Sequence, residues 1–141
     1  MKKILIVNAN YYEDISKKLL LGSKKKLKNN SFKISIINVP GIYEIPIAIR
    51  KYITKFDGFI ALGCVIKGQT PHFDLISSST FNSILNLSIN FNKPIGNGII
   101  TAYNIKQARQ RCKSTISKKS NKGSEAANAV ISILKNGPKK I

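Results

Sequence analysis

Hydrophobic and polar residues follow two alternating patterns along this chain. Short, mostly apolar runs are typical of buried strands, and longer segments with an apolar residue every three or four positions are typical of amphipathic helices. The short runs predict strands at 3–8, 31–40, 57–66 and 93–102. The longer segments predict helices at 13–29, 41–55, 74–90, 104–112 and 123–137.

The strand–helix alternation predicts a parallel sheet, because parallel strands need a long crossover and a helix supplies it. The third run, GFIALGCVI (58–66), is almost continuously apolar, as expected of a strand buried on both faces. We therefore predict an α/β, three-layer fold with a four-stranded parallel sheet flanked by helices. We expect a single domain over residues 1–141.

Local signals predict where several elements begin and end. Asp14 suits the N-cap of the first helix, and Pro46 is tolerated only near the first turn of the second. Gly137 and Pro138 suit the end of the last helix. The polar stretch KSTISKKSNKG (113–123) predicts a loop before that helix.

The apolar runs are too short to cross a bilayer, and the start MKKILIVNANYY lacks the length and cleavage site of a signal peptide. We therefore expect a cytoplasmic protein without a membrane partner. Cys64 and Cys112 are then expected to be reduced. With one histidine and no CxxC motif, they offer no closed metal site within one chain, and no metal is expected.

The net charge of +18, from 24 Lys and Arg against 6 Asp and Glu, has two interpretations. Nucleic-acid binding would explain it, and so would a solvated lysine-rich surface that follows from a base-composition bias in the coding DNA. We favour the solvated surface, because no recognition motif or aromatic-studded basic groove accompanies the lysines. No specific nucleic-acid partner is expected. A positive surface would still speed encounter with a small anionic substrate.

A ligand site is expected beyond the carboxyl ends of the strands, where parallel sheets bind ligands. Four segments carrying polar or aromatic residues should meet at this edge: 8–13, 39–44, 66–74 and 101–104. The chain's one histidine, His72, lies in the third segment and is available for proton transfer. Glu44 is an acid in the second.

The stretch GCVIKGQT (63–70) comes close to a nucleotide-binding P-loop. Gly63 and Gly68 have the required spacing and Thr70 supplies the hydroxyl, but Gln69 stands where the lysine is needed. This excludes ATP and GTP as ligands of such a loop. The backbone N–H groups around 68–70 could still hold a single phosphate near a helix start.

Several segments resemble the signature segments of the lumazine synthase family. They are VPGIYEIP (39–46), LGCVIKGQTPHFD (62–74) and NKGSEAA (121–127), together with NANYYEDI (8–15) and GNGIIT (96–101) in matching order. The resemblance spans nearly the whole chain and implies a flavodoxin-like fold.

The resemblance also implies a reaction of riboflavin biosynthesis that needs no cofactor. 5-Amino-6-(D-ribitylamino)uracil and 3,4-dihydroxy-2-butanone 4-phosphate condense to 6,7-dimethyl-8-ribityllumazine, releasing phosphate and water. Imine formation, phosphate elimination and ring closure are proton transfers between bound partners. Orientation of two substrates and one group that titrates near neutral pH can assist them.

By the same resemblance, individual residues take roles. His72 would transfer protons, Gln69 and Thr70 would form the backbone phosphate cradle, and Arg111 would pair with the phosphate. Glu44 would bind the ribityl hydroxyls. The other implied substrate-binding residues are Tyr11, which would stack on the uracil ring, Gly41, Ile42, Tyr43, Cys64, Val65, Ile66 and Asn97.

Simpler interpretations of three of these residues stay open. His72 could be an incidental loop histidine, Arg111 a solvated cation at a helix end, and Tyr11 a core aromatic after the first strand. The chain also departs from the family at Asn10 and Lys67, where arginine is common. Asn97 stands where many members have a phenylalanine that closes the pocket from the neighbouring subunit.

Lumazine synthases build their sites between neighbouring subunits of a pentamer, so the resemblance implies a homopentamer. Members that assemble into larger capsids have a short turn before the last helix and often an N-terminal extension. This chain begins its first strand almost at Met1, and CKSTISKKSNKG (112–123) is longer and carries four lysines. We therefore predict a free pentamer. The alternatives are a non-catalytic flavin- or lumazine-binding relative and a basic nucleic-acid-binding α/β protein.

Overall fold

A computed structural model describes residues 1–114 and 121–136. Its elements are β1 (Lys2–Ala9), α1 (Glu13–Lys28), β2 (Phe32–Val39), a 3₁₀ turn (Ile42–Glu44), α2 (Ile45–Lys51), β3 (Gly58–Ile66), α3 (His72–Phe91), β4 (Ile95–Ala102), α4 (Ile105–Gln110) and α5 (Lys122–Asn136). The predicted alternation of strands and helices is confirmed. The predicted helix end at Gly137 and Pro138 and part of the predicted loop, 115–120, lie outside the described residues.

The four strands form one parallel sheet in the order β2-β1-β3-β4. This is the strand order with which flavodoxin-like sheets begin, so the predicted fold class is confirmed. β1 and β3 are central, and β3 is buried from Gly58 to Cys64 as its apolar sequence predicts. β2 and β4 are edge strands, and their side chains are more exposed.

Side chains that alternate along the strands build a core on each face of the sheet. On β1, Ile4 and Ile6 pack with α1, α4 and α5, whereas Leu5 and Val7 pack with the 3₁₀ turn, α2 and α3. The sheet therefore lies between two helical layers. This is the predicted three-layer arrangement.

The predictions for the first two helices are wrong in part. Tyr12, not Asp14, is the N-cap of α1, and Asp14 lies in the first turn, where its charge still favours the positive end of the helix dipole. The predicted helix 41–55 is divided into a 3₁₀ turn and the shorter α2. Pro46 lies at the start of α2, because a proline without an N–H group fits an α-helix only in its first turn.

The longest helix, α3, has 20 residues and begins two residues before the predicted start, at His72. It ends at Asn92, which adopts the left-handed conformation typical of helix C-termini. Across the described residues, no helix is both long and apolar enough to cross a membrane.

α1 and α5 approach each other closely near residue 121. A Cβ atom on Gly123 would lie 2.2 Å from the carbonyl oxygen of Leu19, so only glycine fits there. The Asn121 side chain donates to the carbonyls of Lys18 and Lys113 and accepts from the Ser124 N–H. Asn121 also pairs with Cys112 in an antiparallel bridge. These bonds fasten the start of α5 to both α1 and the end of α4.

Candidate active site

The carboxyl edge of the sheet brings the four predicted segments together. The N–H of Asn10 donates to Val39 O at 3.1 Å, and the N–H of Lys67 donates to Ala102 O at 2.9 Å. These bonds continue the pairing of β1 with β2 and of β3 with β4 by one step. The loops that follow the strands therefore leave from fixed, neighbouring positions.

The 3₁₀ turn after β2 packs directly on β3. A Cβ atom on Gly63 would lie 2.7 Å from Ile42 Cγ2, so the glycine makes room for the Ile42 side chain, which is 4 % exposed. This anchor presents the next residue, Tyr43, to solvent. The half-buried Glu44 turns back, and its Oε1 accepts the Gly41 N–H at 3.0 Å. The bond fixes the orientation of the carboxylate.

His72 is the first residue of α3 and lies across from this turn. A cavity of about 490 Å³ is lined by Tyr43, His72, Leu75, Ile76 and Ser79. Its walls are mainly apolar, with one imidazole, one phenol and one hydroxyl. The imidazole therefore faces a space large enough for a small organic ligand.

The segment between β3 and α3 is exposed at Gln69 and Thr70. Among the hydrogen bonds of residues 1–114 and 121–136, none is donated by the backbone N–H of either residue. A Cβ atom added to Gly68 would meet nothing within 4 Å, so packing does not require glycine there. These N–H groups precede a long helix whose dipole favours an anion.

The end of β3 supplies residues to both faces of the sheet. Cys64 and Ile66 pack with the α1 layer, whereas Val65 packs with the layer that contains α3. Burial raises the pKa of Cys64 to about 12, and the charges of Cys112 and Asp14 add to this. The Cys64 thiol therefore stays protonated near neutral pH and acts as an apolar wall, not as a nucleophile.

Tyr11 and Tyr12 follow β1 at the same edge, with ring centroids 5.0 Å apart in an edge-on arrangement. Tyr11 is 76 % exposed, so the core interpretation of this residue is wrong. Tyr12 is partly buried, and burial raises its pKa. An exposed aromatic face at the rim is available for stacking on a planar ligand.

Asn97 and Arg111 lie in a different cavity, of about 230 Å³, at the free edge of β4. Phe81, Lys122 and Glu125 line it as well. Arg111 is the C-cap of α4 and is exposed, and its carbonyl accepts the Lys122 N–H at 2.7 Å. Within one chain, the predicted site residues therefore do not share one cavity: Tyr43 and His72 line the first, and Asn97 and Arg111 line the second.

Several residues that line these cavities are absent from the sequence-based prediction. Leu75, Ile76 and Ser79 lie three, four and seven positions after His72. This helical spacing is a signal that could have identified them. Phe81, Lys122 and Glu125 gave no comparable signal, because they meet only when α3 and α5 pack on opposite faces of β4.

Possible metal ligands are scattered in the parts of the chain that the structure describes. No group of three or more His, Cys, Asp or Glu side chains there is placed to hold a metal ion. Cys64 and Cys112 are both free and buried.

Comparison with known proteins gives a consistent result. The family profile described as 6,7-dimethyl-8-ribityllumazine synthase matches residues 1–136. A curated protein of that name from Campylobacter jejuni is 41 % identical over 137 residues, which cover 94 % of this chain and 87 % of the relative. The one from Bartonella bacilliformis is 38 % identical over 136 residues, covering 94 % and 90 %. The one from Methylorubrum populi is 37 % identical over 139 residues, covering 94 % and 80 %.

Proposed function

Because the chain belongs to the 6,7-dimethyl-8-ribityllumazine synthase family, we propose that it makes this lumazine in riboflavin biosynthesis. Its substrates would be 5-amino-6-(D-ribitylamino)uracil and 3,4-dihydroxy-2-butanone 4-phosphate, and phosphate and water would leave. The observation that carries the proposal is the cavity shared by Tyr43 and His72 at the carboxyl edge.

His72 would transfer protons during the condensation. Forming the imine releases water, and eliminating phosphate requires loss of a proton from the carbon between the imine carbon and the carbon that bears the phosphate. An imidazole can accept and return these protons because its unperturbed pKa is close to neutral. As the first residue of α3, His72 follows closely after Gln69 and Thr70, which are proposed to hold the phosphate.

The two substrates would bind to different groups. The N–H groups of Gln69 and Thr70 and the α3 dipole would hold the phosphate. Glu44 would accept hydrogen bonds from the ribityl hydroxyls, with its carboxylate already oriented by Gly41. Tyr11 would stack on the uracil ring, and Ile42 and Tyr43 would flank it. The remaining predicted pocket residues, Cys64, Val65 and Ile66, would form an apolar wall at the end of β3.

A complete site would need a second copy of the chain. Arg111 and Asn97 line a cavity apart from that of His72, although both groups are predicted to serve one reaction. If the β4 edge of one subunit meets the His72 cavity of its neighbour, Arg111 reaches the phosphate. This arrangement supports the predicted homopentamer, in which each interface joins the same two surfaces.

The direct test is to mix the two proposed substrates with the purified protein and follow lumazine fluorescence and phosphate release. Both should exceed the uncatalysed rate. A rate equal to the background with the folded, full-length chain would disprove the proposed activity.

The shared site can be tested separately by mixing two damaged variants, His72→Ala and Arg111→Ala, during folding. If one site uses both chains, random mixing leaves about a quarter of the sites with both residues intact, so activity returns. If each site lies within one chain, the mixture should be no more active than its components.

Assembly size and location remain predictions. A mass near five chains by light scattering would support the free pentamer, and a mass near sixty chains would contradict it. Cytoplasmic residence would be tested by fractionating cells that make the protein.

A further inference from the structure

Charge is distributed unevenly between the two edges of the sheet. The sequence has 6 Asp and Glu, and five of them lie in the first turns of helices at the carboxyl edge: Glu13, Asp14, Glu44, Asp74 and Glu125. The sixth, Asp57, lies at the amino edge. Lysines collect at that edge, at strand starts and helix ends, and include Lys2, Lys3, Lys28, Lys33, Lys51 and Lys135.

Helix dipoles explain only some of these lysines. Cations in the last turn of α1, α2 and α5 stabilise the negative ends of those helices. Lys3 and Lys33 are on strands, where no such dipole operates. They are direct partners in the β1–β2 register, so two like charges lie side by side on the same face of the sheet. Such a pair is unfavourable unless an anion lies nearby.

A pocket of about 280 Å³ joins these two lysines to Lys55 and two aromatic rings. We name it the lysine–tyrosine pocket; its residues are Lys3, Lys33, Ser35, Tyr52, Lys55 and Phe56. Lys55 Nζ lies 5.9 Å from the centroid of the Tyr52 ring. The pocket therefore combines three lysine side chains with the rings of Tyr52 and Phe56, which we call the aromatic floor.

The aromatic floor is held rigidly. The Tyr52 and Phe56 rings are 6.1 Å apart and edge-on, and Phe56 makes the same type of contact with Phe59, also at 6.1 Å. Phe59 is fully buried in the core. Tyr52 is thus held in place by its contact with Phe56. Because Tyr52 is only half-buried, part of its ring stays accessible.

One carboxylate, that of Asp57, lies beside the pocket and can offset only part of the charge of its three lysines. Asp57 Oδ2 accepts the backbone N–H of Lys3 at 2.7 Å, and Asp57 lines a separate cavity with Lys2 and Lys93. No carboxylate is among the residues of the lysine–tyrosine pocket in the described chain. The rest of its positive charge is therefore left for an outside partner.

We propose that the lysine–tyrosine pocket binds single-stranded nucleic acid without reading its sequence. The three lysines suit consecutive backbone phosphates, and Tyr52 offers a ring on which one base can stack. The sequence pattern alone shows no basic groove with an aromatic floor. For that reason it favours the solvated lysine-rich surface as the explanation of the net charge. The fold creates such a groove by bringing residue 3 beside residue 33 and both beside 52–56.

The aromatic floor favours nucleic acid over a membrane surface. An anionic bilayer would need lysines around side chains that insert into the lipid, whereas Tyr52 and Phe56 lie within the pocket and brace each other. A free phosphate would engage the lysines but leave the ring unused. A nucleotide chain uses both.

The test is binding of a labelled oligouridylate of about 12 nucleotides to the full-length protein, measured by fluorescence anisotropy at several salt concentrations. The main variant carries Lys3→Gln, Lys33→Gln and Lys55→Gln. A control with the same net charge carries Lys17→Gln, Lys106→Gln and Lys113→Gln, which are exposed lysines away from the amino edge.

The pocket variant should bind on the order of tenfold or more weakly at physiological salt, and its salt slope should fall by about 2. The control should lose much less. Tyr52→Leu should weaken binding by about tenfold with the salt slope unchanged, while Tyr52→Phe should bind normally. Circular dichroism and lumazine formation would establish that every variant is folded.

Three outcomes would overturn the proposal. Equal losses in the two triple variants would mean that binding follows total charge and not the pocket. An unchanged affinity of the Tyr52→Leu variant would show that no base stacks on Tyr52. Tighter, Lys55-dependent binding to phosphatidylserine vesicles than to the oligonucleotide would assign the surface to membranes.

Discussion

The carboxyl and amino edges of the sheet both carry lysines, but they arrange charge differently. At the carboxyl edge, acids in the first turns of helices are mixed with cations, and the exposed Tyr43 and His72 line a cavity. At the amino edge, lysines of adjacent strands stand side by side with one carboxylate nearby. The carboxyl edge therefore holds individual side chains at defined positions, whereas the amino edge concentrates positive charge.

This difference predicts how each edge responds to change. Activity at the carboxyl edge should depend on single residues and little on salt, because the groups there act at short range. Binding at the amino edge should depend on several lysines together and fall steeply with salt. The predictions below test the first half of this contrast, from the largest expected effect to the smallest.

Arg111→Ala should raise the KM for the phosphate substrate by about a hundredfold, because a charge-assisted pair to the anion is lost. The KM for the ribitylaminouracil should change far less. Glu44→Ala should show the reverse preference, since the ribityl chain carries hydroxyls and no charge. Steady-state kinetics with each substrate varied in turn would measure both. Equal effects of the two variants on one substrate would show that the subsites are assigned wrongly.

His72→Ala should lower kcat by roughly ten- to a hundredfold while binding of a substrate-like pyrimidine is little changed. General acid–base assistance supplies about this much, and orientation of the two substrates supplies the rest. Single-turnover kinetics and a titration with the pyrimidine would separate the two quantities. A variant that turns over at the parent rate would remove His72 from the mechanism.

Gly63→Ala should destabilise the fold by about 2 kcal/mol, because the new Cβ would lie 2.7 Å from Ile42 Cγ2 and 3.1 Å from Ala9 Cβ. Gly68→Ala is the matched control, since its Cβ would meet nothing within 4 Å. Its unfolding free energy should stay within about 0.5 kcal/mol of the parent. Urea denaturation of both variants measures the difference, and equal stabilities would contradict the packing described for the 3₁₀ turn.

The smallest effect should come from Cys64 near pH 9, where only about half of the unfolded chains have lost the thiol proton, and this effect should grow toward pH 12. The pKa of this thiol rises from 9.0 to about 12 in the folded chain, mainly through burial. Between those values the unfolded chain releases the thiol proton and the folded chain keeps it, so the free energy of unfolding should fall as pH rises. Cys64→Ala cannot titrate and should lose this part of the slope. Parallel pH dependences for the two proteins would show that Cys64 does not contribute.

Much of the fold could be predicted because its cause is local. The continuous apolar run of β3 and the periodic leucines and isoleucines of α1 determine which segments are strands and helices. The ends of helices and strands are harder to predict where two local signals compete. Asp14 is a good capping residue, yet the helix begins one residue before it at Glu13.

The site was predicted only in part, because its geometry depends on how elements pack. The motif resemblance indicated His72 and Arg111 and a site between subunits, but not which residues share a cavity within one chain. The lysine–tyrosine pocket gave no sequence signal at all. It depends on the register of β1 with β2, which places Lys3 opposite Lys33.

The fastening at Asn121 has a further consequence for engineering. Cys112 and Asn121 are bridged, the Asn121 side chain holds Lys18 and Lys113, and the Lys122 N–H donates to Arg111. The end of α4 and the start of α5 are thus held together by bonds between residues on either side of 115–120. An insertion between residues 114 and 121 would leave these bonds between described residues intact, so they should still hold α5 against α1 and the end of α4.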